Sequence, residues 1–185
     1  MIRGLPLLLA LSCCLSCEDG RIARGAAGAR DDEVPVRVEG LALDDEAEAP
    51  VVILVEAEGE RRLPIWIGMP EAHSIAAQLD ERSAPRPNSH DLAKRLIEGL
   101  EGEVKRVVVT ELRDGVYYAR IDLEQRGRKI PVDARPSDAI AIALRLGAPL
   151  FVHATLFETS ALAPPGPGKE VHGAPSERQV PAQSL

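Results

Sequence analysis

Apolar positions between residues 33 and 158 fall into two periods. Runs rich in β-branched residues, bounded by charged or glycine-containing turns, predict strands at 34–43, 51–57, 62–67, 104–112, 116–123, 128–133 and 150–155. The connections at 58–60, 114–115 and 125–127 are short, so their flanking strands are expected to form hairpins in a largely antiparallel sheet. Helical spacing takes over at Ala72, Ile75, Ala76 and Leu79, and again at Ala139, Ile142, Ala143 and Leu146. Ile140, Ala141 and Leu144 make the latter helix apolar nearly all round, which predicts that it is the most buried. A third helix is expected over 91–100, with Leu92, Leu96, Ile97 and Leu100 as its buried face, Asn88 or Ser89 as its cap, and Gly99 or Gly102 near its stop. The segment Pro149 to Val152 reads as an edge strand open to pairing with a second copy.

Displacing the chain along itself by 67 positions sets Leu63-Pro64 against Ile130-Pro131. It also sets Ala72, Ile75, Ala76 and Leu79 against Ala139, Ile142, Ala143 and Leu146, and Glu71 against Asp138. Any strand followed by an amphipathic helix shares part of such a pattern. A true duplication would make the domain a pseudo-twofold pair of β-β-β-α units, with Glu71 and Asp138 at related helix starts. The expected fold class is α+β: a curved, largely antiparallel sheet with about three helices.

The ends differ from this middle. Arg3 precedes an apolar run from Leu5 to Leu11 that is too short to span a bilayer, and residues 1–17 read as a signal peptide. All three cysteines, Cys13, Cys14 and Cys17, lie at its close among small residues, an arrangement that resembles a bacterial lipoprotein signal. Cys17 after Ser16 is the expected lipidation point, with Cys14 as its rival. Residues 18–32 would then be a flexible linker, 33–158 the domain, and 159–185, rich in proline, a disordered tail. The expected location is the cell envelope, facing periplasm or exterior, with membrane attachment through lipid only. The domain itself holds no cysteine, so disulfide and thiolate chemistry are excluded from it. Aromatic residues are only 3% of the chain, which disfavours a sheet platform that stacks several bases. The formal net charge of −7 does not announce a nucleic-acid binder.

Candidate chemistry gathers at helix starts. In Asp133-Ala134-Arg135-Pro136-Ser137-Asp138, alternation puts Asp133 and Arg135 on one face, Ser137 is placed to cap the helix, and Asp138 sits in the first turn. A purely structural account is complete: Asp138 complements the helix dipole and Arg135 pairs with Asp133. In Arg86-Pro87-Asn88-Ser89-His90-Asp91, a histidine beside a carboxylate suits general-base work, although a histidine at a helix start also serves simply as a surface or capping residue.

Three stretches in order, Leu63-Pro64-Ile65-Trp66-Ile67-Gly68 with Glu71-Ala72, Arg86 to Leu92, and Val132 to Ala141, resemble the bifunctional nuclease domain family over nearly all of 34–157. The resemblance implies an α+β domain, commonly oligomeric, with nuclease activity on RNA and DNA. The family's motif positions fall on Glu71, Arg86, His90, Asp91, Asp133, Arg135 and Asp138. From their chemistry the expectation is that Asp133, Asp138 and Glu71 hold Mg²⁺ or Mn²⁺. His90 would assist the water, with His90, Asp133 and Asp138 catalytic, and Arg86 and Arg135 would contact the phosphate. Two features depart from the family's usual setting: the export signal and the acidic domain, whose charge weakens attraction to phosphates. The competing expectation is a non-catalytic envelope module in which these residues are caps and an oligomer interface.

Overall fold

A computed structural model describes residues 30–59 and 61–160. The expected signal peptide with Cys14 and Cys17, most of the linker, and the tail beyond 160 lie outside the described residues. The elements are β1 (Glu33–Asp44), β2 (Ala49–Glu56), β3 (Arg62–Trp66), α1 (Met69–Leu79), α2 (Ser89–Gly99), β4 (Gly102–Arg113), β5 (Val116–Gln125), β6 (Arg128–Ala134), α3 (Pro136–Leu146), β7 (Leu150–His153) and α4 (Thr155–Ser160). The fold is α+β. No helix among the described residues is long and apolar enough to cross a membrane.

The seven strands form one sheet in the order β3-β2-β1-β7-β4-β5-β6, antiparallel throughout except for β4 beside β7. Two hairpins turn at Asp114-Gly115 and Arg126-Gly127, where both residues of each pair have positive φ. That is the two-residue turn whose twist matches its strands, and glycine meets its second position without steric cost. Every strand and helix of 33–79 has its counterpart near the 67-residue offset, and α1 and α3 correspond residue for residue at both ends. Because β1 runs antiparallel to β7 and β4 parallel to it, the two three-stranded halves are related by an approximate twofold through β7. Helix α1 lies on β1 and β2 as α3 lies on β4 and β5, and the two helices pack together.

Four expectations require correction. First, β7 is the central strand and not an edge: Leu150, Phe151 and Val152 are consecutively buried, as a strand covered on both faces must be. Second, the chain after β7 turns at Ala154 into α4, whose Leu156 and Phe157 are buried, so the last strand does not reach Thr155. Third, Leu92, Leu96 and Leu100 are exposed. Helix α2 meets the core through Ala93 and Ile97, and its leucine stripe faces outward. Fourth, Ser137 does not cap α3; Arg135 occupies the cap position with no side-chain cap bond, and Pro136 opens the helix.

The core is aliphatic. Val52, Leu54, Leu63, Ile75, Val107, Val109, Ile140 and Val152 are essentially removed from solvent. The far side of the sheet's centre is closed by an ion network in which Arg106 donates to Glu33 at 2.5 Å and to Asp122 at 2.7 Å, with its guanidinium over the Phe151 ring. A buried glutamate is tolerated there because two arginines neutralise it.

Candidate active site

Three helix starts meet at one cavity of about 340 Å³, lined by Glu71, His73 and Ser74 of α1, by Asn88 and His90 where α2 begins, and by Arg135 and Asp138 where α3 begins. The approximate twofold accounts for part of this meeting. Glu71 and Asp138 occupy the third position of helices that the twofold sets side by side.

Arg135 ties the two carboxylates together. Its Nε donates to Asp138 Oδ2 at 2.7 Å, and its Nη2 donates to Asp138 Oδ1 at 3.0 Å and to Glu71 Oε1 at 2.7 Å. The same contacts hold the guanidinium more firmly cationic than a free arginine. Partial burial pushes the Asp138 carboxyl up, but hydrogen bonds from Arg135 and His90 outweigh it and leave the group below the usual carboxylate range. Gly68 makes room for Glu71: a Cβ at Gly68 would overlap the Glu71 carboxylate.

The proton on His90 can be placed by counting donors. Ser74 Oγ receives Asn88 Nδ2–H at 3.0 Å and Arg145 Nη2–H at 2.9 Å, which uses both of its lone pairs. Its own hydrogen must therefore go to His90 Nδ1, 2.8 Å away. In the neutral ring the proton then sits on Nε2 and is donated to Asp138 Oδ1 at 3.1 Å.

A second layer holds this arrangement from behind. Asn88 caps α2, accepting from the backbone N–H of His90 and of Asp91, while Asp91 accepts from the N–H of Asn88. This reciprocal box fixes the direction of His90. The Asp91 carboxylate also accepts from Arg145 Nε at 2.7 Å, and Arg145, then the Asn88 N–H, hold it below its ordinary range. Arg145 donates further to the carbonyls of Ser74 and Ala141. With 4% of its side chain exposed, it joins α1, α2 and α3 at one point.

The structure thus brings together Glu71, His90, Asp138 and Arg135. It does not bring in Asp133 or Arg86. Strand β6 ends at Ala134, so Arg135 turns toward α1 while Asp133 stays exposed on the edge strand and makes no ion pair among the described residues. Arg86 is exposed in the α1–α2 connection and does not line the cavity. Sequence reasoning missed Ser74, Asn88 in its second role, His73 and Arg145. The available signal was Arg145, a charged residue inside a helix otherwise apolar all round. His153 also faces a carboxylate, Asp32, at 2.9 Å, which sequence adjacency did not reveal.

The carboxylate trio expected to hold Mg²⁺ or Mn²⁺ does not fit this geometry. Arg135 occupies the space between Glu71 and Asp138, and no group of three or more His, Cys, Asp or Glu among the described residues is arranged as a cation site.

Comparison with known proteins agrees with the motifs. The family model described as the bifunctional nuclease domain matches residues 52–164. An uncharacterised protein of Mycobacterium tuberculosis is 41% identical over 146 residues, 78% of this chain and 87% of that protein. Bifunctional nuclease 1 of Oryza sativa subsp. japonica is 31% identical over 144 residues, 76% of this chain and 42% of that protein. Bifunctional nuclease 1 of Arabidopsis thaliana is 31% identical over 145 residues, 71% of this chain and 44% of that protein. The chain therefore spans less than half the length of these plant relatives. On the match of its domain and on these identities, the chain belongs to the bifunctional nuclease domain family.

Proposed function

We propose that the protein hydrolyses phosphodiester bonds of RNA or DNA at the cavity between α1, α2 and α3. One observation carries this reading. A guanidinium 65% exposed, held between two carboxylates, stands beside an imidazole whose proton position is fixed. A phosphodiester approaching the open edge of Arg135 competes with Glu71 and Asp138 for its N–H groups. As Arg135 turns to the phosphate, Asp138 loses the strongest of the contacts that keep it acidic, and becomes a better proton acceptor. A water oxygen then bonds to phosphorus, its proton passes to Asp138, and the bond to the leaving oxygen breaks. The leaving oxygen takes the proton back from the Asp138–His90 pair. General acid–base help of this kind supplies about 10²- to 10⁴-fold.

The test is cleavage of single-stranded and duplex RNA and DNA by the purified chain, with EDTA and with Mg²⁺ or Mn²⁺ added. Cleavage that falls at least about 10²-fold in His90→Asn and Arg135→Gln, with unchanged circular dichroism, supports the reading. No cleavage under any of these conditions ends it. The EDTA arm decides whether a metal takes part.

A second reading has its own observation. The carboxylates, the imidazole and Ser74 of the cavity are each satisfied by a neighbour, as they would be in a non-catalytic module held together by caps and cross-ties. It predicts that the same substitutions change stability or assembly and leave no chemistry to lose. Export and lipid attachment through Cys17 belong to the proposal and are checked by membrane fractionation of Cys17→Ala. Assembly with further copies does too; the outward leucines of α2 are the surface it would use, and sedimentation of Leu96→Glu tests it.

A further inference from the structure

A second cavity, of about 410 Å³, adjoins the first. It lies between the end of β3 and the β4–β5 turn, lined by Trp66, Ile67, Gly68, Val116, Tyr117 and Arg135. Arg135 lines both cavities, so the two share the side chain that bridges Glu71 and Asp138. Trp66 is 43% exposed, on the outward side of β3. Its Nε1–H donates to Asp44 Oδ2 at 2.8 Å, and that carboxylate is itself fixed by the backbone N–H groups of Glu46 and Ala47. An indole tied at its polar atom with its rings open to solvent is a rigid aromatic plate that loses little freedom when something stacks on it. Gly68, in the wall between plate and site, adds no side chain to separate them.

We propose that Trp66 stacks one unstacked base of a single-stranded nucleic acid whose adjoining phosphodiester lies on Arg135, an inference that rests on the phosphodiesterase reading above. A base inside a duplex presents no free face, whereas a single strand can splay one out. The charge balance points the same way. A chain of net charge −7 offers a long phosphate backbone no net attraction, which favours local recognition through one aromatic plate and one guanidinium. Binding should accordingly depend weakly on salt, with a slope of about −0.7 for each of one or two phosphates. The low aromatic content argues against a platform for several bases, not against one.

The chain has one tryptophan, so its fluorescence reports Trp66 alone. The full chain is titrated with a phosphorothioate octathymidylate, an abasic sugar-phosphate octamer of equal charge, and a duplex of equal length; binding is followed in parallel by anisotropy of labelled oligomers. The expected result is saturable quenching by the octathymidylate alone, with about 5- to 150-fold weaker binding in Trp66→Ala and partial recovery in Trp66→Phe. The proposal is overturned by equal affinity for base-bearing and abasic oligomers, by an unchanged affinity in Trp66→Ala, or by absence of binding. Emission that shifts with protein concentration alone also overturns it and assigns the plate to contact between copies. Quenching without cleavage of the unmodified oligomer leaves the stacking site standing and sinks the hydrolytic reading, while cleavage without base-dependent quenching does the reverse.

Discussion

Replacing Arg145 by methionine keeps a side chain of similar length in the interior and removes four hydrogen bonds from a cation. The losses differ in kind. Asp91 keeps its bond from the Asn88 N–H and is about a third exposed, so its charge is not stranded. Ser74 loses a donor to its buried hydroxyl, whereas the carbonyls of Ser74 and Ala141 both retain their places in their helices. A hydrogen bond to a charged group contributes about 1.5–3 kcal/mol, and breaking a fully buried pair costs about 3–5 kcal/mol. With Asp91 partly solvated, the expected loss is about 2–4 kcal/mol, or roughly 6–15 °C in melting temperature for a domain of this size. The assay is urea and thermal denaturation of Arg145→Met beside the parent chain, from pH 7 down to pH 3. Asp91 has its carboxyl pKa lowered in the folded state. Its contribution is therefore complete above the unfolded carboxylate value of about 3.9 and fades as pH falls through the depressed value. The gap between parent and variant should narrow below about pH 4. A variant within about 1 kcal/mol of the parent at pH 7, or a gap independent of pH, refutes the role assigned to Arg145.

Nitrogen-15 NMR of His90 should show the neutral ring protonated at Nε2, and Ser74→Ala should disturb that preference; a neutral Nδ1–H tautomer in the parent chain contradicts the donor count at Ser74. Gly68→Ala should change stability by less than about 1 kcal/mol, because the added methyl meets the flexible end of Glu71, and a loss above about 2 kcal/mol would contradict that reading of the contact. Asp133→Ala should leave rate and stability near those of the parent, while Asp138→Ala abolishes cleavage; equal loss in both variants would return Asp133 to the site.

Local patterns were legible in the residues, and long-range ones were not. Runs of β-branched residues between charged or glycine-containing turns located the strands, and the match of Glu71 with Asp138 anticipated that α1 and α3 would start side by side. Strand order could not be read, because pairing across a sheet depends on contacts distant in sequence. Leu150 to Val152 still carried the sign of a central strand in being apolar without alternation. The leucines of α2 follow a perfect helical period and face water nonetheless, since periodicity shows that a helix has two faces and not which one the core takes. Alternation along β6 failed at Arg135, where the backbone passes from strand to helix cap and the side chain swings from Asp133 to Glu71 and Asp138. His90 and Arg135, which line the cavity, could be singled out because polar side chains collect at helix starts. Ser74 escaped because a small hydroxyl on the buried face of α1 looks like filler until its three partners are seen.

The position of β7 bears on how the chain reaches its native state. Synthesis from the amino end completes both three-stranded halves, with α1 and α3, before Leu150 to His153 has emerged, and until then β1 and β4 have no strand between them. The last strand to appear is the one that closes the sheet. Cooperative closure of the sheet therefore waits for Leu150–His153, so neither half can gain its full set of strand partners until that segment has been made.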